Sequence, residues 1–368
     1  MDGAAALRTG LELTLRELDS GGTARAALSL MRALEVRDDV DVVPIAQPGA
    51  SRAGSRGQIT RGIAREMTWL PARLALQARR LKLDVLHCPG PLVPARSPVP
   101  LVVTIFDALP WRHPEWLTPA NVASHRLVVR RGVRRAEAVI TSSLHARGEI
   151  ADAYGIEPER IHVVPLGVDD AFTPGEASDR VLARLGVTGP FVLTVGTLQP
   201  RKNIGAVVSA FERLVAQGAN LALVVTGGAG WGGQETAERI RRSPAADRVV
   251  MTGHVGDAEL LALYRGALCF VFPSRYEGFG LPVLEAMAAG TPVVCSDRTS
   301  LPEVAGAAAT LVSPDDVDAL ERAIGRVASS PDARAEMVER GLMQAARFTW
   351  ERCAQETVGV YRTAISTA

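Results

Sequence analysis

The sequence predicts an α/β chain of two consecutive doubly wound domains, each a parallel sheet with helices on both faces. Three observations predict it. The chain has 368 residues, too many for one typical domain and suited to two. Short apolar, β-branched runs alternate with helix-period stretches from end to end, the pattern of parallel sheets buried on both faces. That alternation pauses once, over the polar, turn-rich segment 169–190, and then starts again.

In the first series, LELTLREL (11–18), VDVVPI (40–45), LDVLHC (83–88), PLVVTIFD (100–107), AVITSS (138–143) and IHVVPLG (161–167) read as buried strands. Helical stretches such as TARAALSLMRALE and NVASHRLVVRRGVRRAE lie between them. The second series is FVLTVGT (191–197), LALVVTGG (221–228), RVVMTGHV (248–255), LCFVFPS (268–274), TPVVCS (291–296) and ATLVSP (309–314). From Pro331 onward the pattern is helical, with no strand.

Composition limits the function classes. Apolar residues make up 47% and charged residues 22%, enough for two ordinary cores. The net charge of +1 gives no case for a nucleic-acid partner. Charge is unevenly placed, however: residues 51–135 carry 15 Arg and Lys against the four acids Glu66, Asp84, Asp107 and Glu115. A solvated arginine-rich face and a surface for anionic lipid or phosphate both fit that stretch. The four cysteines, Cys88, Cys269, Cys295 and Cys353, are widely spaced, and the first three sit in strand-like runs. Buried free thiols are expected rather than a disulfide framework or a zinc site. The N-terminal stretch lacks a basic-then-apolar signal pattern, and no apolar run approaches the roughly 18 residues of a membrane span. A cytoplasmic location is the expectation.

In open α/β sheets ligands bind where strands end, so the strand ends carry the chemistry. SRYEGFGLPVLEAMAAG (274–290) places Glu277 on a loop, then Gly278, Phe279 and Gly280, then a helix starting near Leu281 with Glu285 one turn in. The glycines permit a sharp turn and close approach to a ligand, and the helix start is a site for anions. A carboxylate can accept two hydrogen bonds from a vicinal diol, which suits sugar hydroxyls. Glu277 as a solvated loop residue, with Glu285 offsetting the helix dipole, is the plainer alternative. VGTLQPRKN (195–203) adds Gly196, Arg201 and Lys202 directly after another strand. A guanidinium fork beside an ammonium can clamp a diphosphate.

The order of VGTLQPRKN, VVTGGAGWG, VVMTGHV and VFPSRYEGFGLPVLEAMAAGTPVVCSDRTSLPEVAG resembles the retaining nucleotide-sugar glycosyltransferases of family 4, with the GT-B fold, and especially their bacterial mannosyltransferase-like branch. HCPGPLVP, VVTIFDALPWRHPEW and VVPLGVDDAF extend the resemblance over nearly the whole chain, with less specific motifs. It implies an acceptor-side Rossmann-like domain over 1–178, a nucleotide-sugar domain over 179–350, a cleft between them, and a C-terminal helix, 351–368, crossing back to the first domain. It implies that Arg201 and Lys202 bind the donor diphosphate, Glu277 the donor sugar and Glu285 the nucleotide ribose. Gly278, Phe279 and Gly280, ahead of Leu281, support sugar and phosphate. Gly21 and Gly22 approach the donor phosphates, Gly196 lies beside the clamp, and Val255 with His254 flanks the base. Phe106 and Asp107 stand where many relatives carry His-Asp near the donor sugar's outer hydroxyl. No cofactor or metal is implied, only a nucleotide-diphosphate sugar as donor, GDP-mannose foremost. The acceptor is a glycan or polyprenyl-linked glycan of the cell envelope, with peripheral contact to anionic lipid at the inner face of the plasma membrane. A small-molecule acceptor, a 6-deoxyhexose donor and a catalytically silent sugar-nucleotide scaffold remain alternatives.

Other signals read as structural. Asp39-Val40-Asp41 precedes a strand and Asp316-Val317-Asp318 opens a helix, so neither is expected to hold a metal. TGGAGWGG (226–233) matches neither a dinucleotide fingerprint nor a P-loop. His87 ends a strand, where it meets an acceptor or bonds to backbone. A hydrolase with two carboxylates would leave the Arg201–Lys202 pair without a purpose.

Overall fold

The computed structural model describes residues 6–14, 21–46, 73–90, 93–94 and 96–368. Contacts divide the chain into two compact units, residues 1–114, 119–167 and 349–368 in one, and 115–118 and 168–348 in the other. Each holds a six-stranded, fully parallel sheet, as the alternating pattern predicts.

The first sheet comprises β1 (Leu7–Glu12), β2 (Val40–Ile45), β3 (Val85–Cys88), β4 (Leu101–Thr104), β5 (Ala138–Thr141) and β6 (Ile161–Val163), in the order β2-β1-β3-β4-β5-β6. β1 differs from the expected 11–18: the strand begins at Leu7, and residues 15–18 lie outside the described ones. Gly10 explains the misreading. A glycine inside a strand looks like a boundary, but here a Cβ at Gly10 would come within 2.3 Å of Leu83 Cδ1, so close side-chain cover requires its absence. β3, β4 and β5 are buried throughout, which is why they read as unbroken apolar runs.

The second sheet comprises β7 (Phe191–Val195), β8 (Ala222–Thr226), β9 (Val249–Gly253), β10 (Cys269–Phe272), β11 (Val293–Ser296) and β12 (Thr310–Val312), in the order β12-β11-β10-β7-β8-β9. Most sequence-read strands overrun these ends on the carboxyl side. The apolar residues there continue past the last ladder hydrogen bond into the loops that carry the site. Phe211 and Ile324, from the helices Ile204–Ala216 and Val317–Ser329, pack with Val192, Val271 and Val294 into the core of this unit. Asp316 caps the second of these helices, its Oδ1 accepting the Ala319 N–H at 2.8 Å.

The C-terminal helix Trp350–Thr367 packs on the helix Gly22–Glu35 and on β3, β4 and β5. At its start a Cβ on Gly167 would meet Trp350 N at 2.3 Å, so only glycine admits the helix so closely. His87 is fully buried beneath it, with Nδ1 2.7 Å from Tyr361 Oη and Nε2 2.8 Å from Thr104 Oγ1. Its partners are therefore side chains rather than backbone. All four cysteines are buried and free.

Burial pushes the His87 pKa down from 6.5 to about 3. The unfolded chain therefore binds a proton below pH 6.5 that the folded chain refuses, and stability falls as pH drops through that window. From pH 7 to 5 the loss should be about 2 kcal/mol. Thermal midpoints of wild type and His87→Asn across that range check it: the variant should show the shallower pH slope, and equal slopes would contradict the assignment.

Candidate active site

In the second sheet the strand order reverses between β7 and β10. Successive connections diverge at such a switch point and leave room at the carboxyl ends. The loops that follow these two strands carry Arg201 and Lys202 from one side and Glu277 from the other.

After β7 the chain turns at Gly196 (φ +149°), whose missing Cβ lets the Lys202 stem lie across it, 3.3 Å from where that atom would be. A 3₁₀ turn, Pro200–Lys202, sets the two cations side by side, and Asn203 ends it in the left-handed region (φ +54°). The Asn203 amide donates to the Pro314 carbonyl at 2.6 Å and ties this loop down. After β10, Ser274 and Tyr276 lead to Glu277. Lys202 Nζ lies 2.6 Å from Glu277 Oε1, and Arg201 Nη1 lies 3.1 Å from the same oxygen. Arg201 also donates to the Tyr276 carbonyl at 3.1 Å and to Gln199 Oε1. Lys202 Nζ stands 4.6 Å from the centre of the Phe272 ring, a cation–π distance.

These groups are not solvated. The Lys202 and Glu277 side chains are 11% and 12% exposed, which removes the reading of Glu277 as a free loop residue. Burial opposes its charge, but Lys202 and Arg201, with hydrogen bonds from Lys202 and Ser274, hold its pKa down at about 2. Glu277 is thus a carboxylate at any working pH. A cation pair and an anion sharing one partly buried pocket can separate a diphosphate from a polyol at small reorganisation cost.

Gly278, Phe279 and Gly280 are buried and lead into the helix Leu281–Ala288. Gly280 has φ +126°, and a Cβ there would lie 2.7 Å from Leu301 Cδ2, so the turn needs glycine on both counts. Ser300 Oγ lies within hydrogen-bond reach of both the Glu277 and Phe279 carbonyls. Glu285 is only 4% exposed, with Oε2 accepting from the Tyr264 hydroxyl at 3.1 Å. Val255, past the end of β9, is buried and its neighbour His254 exposed.

The glycine-rich segment is explained by packing. A Cβ on Gly227 (φ +146°) would fall 2.1 Å from the Gly196 carbonyl oxygen, and one on Gly233 2.1 Å from that of Leu198. The loop after β8 lies directly against the loop that carries the cations.

The remaining sequence-predicted residues belong to the first unit. Gly21 caps the helix Gly22–Glu35, and a Cβ on Gly22 would meet nothing within 4 Å. Phe106 is partly buried and lines an apolar cavity with Ala26, Ala27, Leu166 and Cys353. Asp107 Oδ1 accepts the Leu109 N–H at 3.0 Å, a turn-forming bond. The Asp-x-Asp carboxylates are engaged: Asp39 by Arg37 and Arg362, Asp41 by Arg8, Asp318 by Arg213.

Sequence reasoning missed Ser274 and Tyr264, which bond to the carboxylates of Glu277 and Glu285, and Thr299, which bonds to the Glu277 backbone. Ser274 was within reach of the strand-end rule, three residues before Glu277. Thr299 (φ +58°), whose Oγ1 accepts the Glu277 N–H at 3.2 Å, gives no local signal.

The chain thus pairs two doubly wound parallel sheets with a cluster of two cations and one carboxylate at the switch point of the second. The model for "Glycosyl transferases group 1" matches residues 180–343, and that for "Glycosyltransferase Family 4" residues 20–172. The O-antigen chain mannosyltransferase B of Escherichia coli is 30% identical over 365 residues, 93% of this chain and 96% of that protein. The MMP alpha-(1->4)-mannosyltransferase of Mycolicibacterium hassiacum is 32% identical, over 81% of this chain and 74% of that one. Among solved structures, sucrose-phosphate synthase of Thermosynechococcus elongatus superposes with a TM-score of 0.77 at 20% identity, covering 98% of this chain and all of that one. HepE of Anabaena, in complex with UDP and glucose, superposes at 0.74 and 20% identity over 96% of this chain and 98% of that one. The chain belongs to the family 4 glycosyltransferases and has their GT-B fold.

Proposed function

We propose that this glycosyltransferase transfers mannose from GDP-mannose, with retention of configuration and without a metal ion, to a polyprenyl-linked glycan in cell-envelope polysaccharide synthesis. The observation that carries the reading is the Arg201–Lys202–Glu277 cluster, two cations and one carboxylate within 3.1 Å at the switch point. Arg201 and Lys202 grip the donor diphosphate and take up the charge that develops on the departing phosphate. Glu277 accepts from donor-sugar hydroxyls, Glu285 from the ribose, and the backbone of Gly278–Gly280 lines the sugar. The leaving phosphate takes the acceptor proton as the hydroxyl attacks on the same face, so no side chain becomes a covalent nucleophile. The choice of mannose follows the E. coli and M. hassiacum relatives. Metal independence is supported by the engagement of both Asp-x-Asp strings in ion pairs and a helix cap. A labelled panel of GDP-, UDP-, dTDP- and ADP-sugars, run with and without EDTA, tests both points. Transfer from GDP-mannose that survives EDTA is expected; hydrolysis alone, or loss restored only by Mg²⁺ or Mn²⁺, would contradict them.

Phe106 favours a second reading of the donor. A phenyl ring cannot hydrogen-bond an outer hydroxyl, and leaving one buried and unpaired costs roughly 1–3 kcal/mol. A 6-deoxyhexose avoids that cost. Matched mannose and 6-deoxymannose donors in wild type and Phe106→His decide it: the histidine should shift preference toward mannose, and an unmoved ratio returns the choice to mannose.

The protein is proposed to act in the cytoplasm, peripherally at the inner face of the plasma membrane. Among the described residues no helix is long and apolar enough to cross a membrane. The helical run 119–135 supports a peripheral contact: it carries five arginines and no acid, with Leu127 and Val128 63% and 54% exposed. Binding to anionic vesicles should weaken with salt and with Leu127→Ser. Binding that is absent, or indifferent to both changes, would remove the contact. Arg52, Arg56, Arg61 and Arg65 of the same basic stretch lie outside the described residues.

A further inference from the structure

Ser274 is fully buried, two residues past the end of β10. Its Oγ lies 2.6 Å from Glu277 Oε1, 3.1 Å from the Arg201 carbonyl and 3.4 Å from the Tyr276 carbonyl. A hydroxyl has one proton to give. The nearest acceptor is also the charged one, so the carboxylate takes it. The Arg201 carbonyl has its own donor, the Arg275 N–H at 2.8 Å.

Two hydrogen bonds and a second cation therefore converge on one oxygen of Glu277: Lys202 Nζ and Ser274 Oγ donate to Oε1, and Arg201 Nη1 stands 3.1 Å from it as an ion-pair partner. None of the hydrogen bonds among the described residues goes to Oε2. The backbone of Glu277 is held as well, its N–H donating to Thr299 Oγ1. Two of the three anchors on Oε1 are cations, and a diphosphate competes for both. The third is neutral and buried, and an incoming anion has no claim on it.

We infer that Ser274 is the positioning residue for Glu277, holding Oε1 when Arg201 and Lys202 turn to the donor diphosphate, so that Oε2 is presented to the donor sugar. The inference rests on the nucleotide-sugar reading of the site. The depressed pKa of Glu277 agrees with it, because the Ser274 hydrogen bond is among its causes.

The test compares wild type with Ser274→Ala, Ser274→Cys and Ser274→Thr. The donor is the nucleotide sugar that wild type uses best in the panel above, and its nucleoside diphosphate serves as the second ligand. Ser274→Ala and Ser274→Cys should lower kcat/KM for the donor by about 10- to 100-fold, the effect of a misplaced reacting group. Both should bind the nucleoside diphosphate, which has no sugar for Glu277 to hold, within about twofold of wild type. Ser274→Thr, which keeps the hydroxyl, should recover most of the loss. Undiminished kcat/KM in the alanine and cysteine variants would overturn the role, as would a parallel loss of nucleoside diphosphate affinity, the mark of a merely structural serine. Should Thr not fold, Cys against Ala still decides, because Cys keeps the volume and loses the strong donor. Failure of wild type to transfer from any donor would show before any substitution, overturning the glycosyl-transfer reading and this role with it.

Discussion

Lys202→Ala should lower turnover by on the order of 10²-fold or more, and Arg201→Ala should do the same, because each removes one preorganised charge aimed at the leaving diphosphate. A factor of 10² corresponds to about 2.7 kcal/mol of transition-state stabilisation. Lys202 has a second effect. It is the main opposite charge on a carboxylate whose burial acts against ionisation. Without it, the Glu277 pKa should climb, and the acid limb of the pH–rate profile should move to higher pH. Lys202→Arg should not rescue, since a planar guanidinium is not a compact point charge. Initial rates with labelled donor, alongside circular dichroism to confirm folding, check these outcomes. Near-wild-type transfer by both alanine variants would remove the roles assigned to the pair.

Gly227→Ala is the substitution expected to damage the fold most. Its Cβ would sit 2.1 Å from the Gly196 carbonyl oxygen, at a φ of +146° that side chains rarely adopt. Backbone atoms cannot swing away as a side chain does, so the Gly196–Lys202 loop must shift or the variant must stay strained. Strain and overpacking together make about 3 kcal/mol a reasonable scale. For a unit of this size that lowers the thermal midpoint by roughly 10 °C. Gly228→Ala is the matched control: a Cβ there meets nothing within 4 Å, and its midpoint should stay close to wild type. Equal midpoints for the two variants would mean that the glycines of TGGAG serve something other than packing. Because the loop it displaces holds the cations, Gly227→Ala should also lose transfer activity well below its melting temperature.

Much of this molecule could be read before its coordinates. Alternating apolar runs placed eleven of the twelve strands among the described residues, because a parallel sheet buried on both faces leaves little choice of residue. Only β1 slipped, where Gly10 interrupted the run for reasons that lie in Leu83 and Ile45. Arg201, Lys202 and Glu277 are legible because they follow strand ends, where ligands of such sheets bind, and because their order matches the family motif.

The sequence alone therefore determined the two sheets, the strand-end chemistry and the family motifs. These depend on residues close together along the chain, where period and turn chemistry act directly. Only the tertiary structure decided that Lys202 and Glu277, 75 residues apart, form one ion pair, that Ser274 holds its carboxylate and Thr299 its backbone N–H, and that His87 serves Tyr361 of the terminal helix. Such pairings depend on strand order. Placing β10 beside β7 brings the loops after both strands together, and no local pattern within either segment encodes that adjacency.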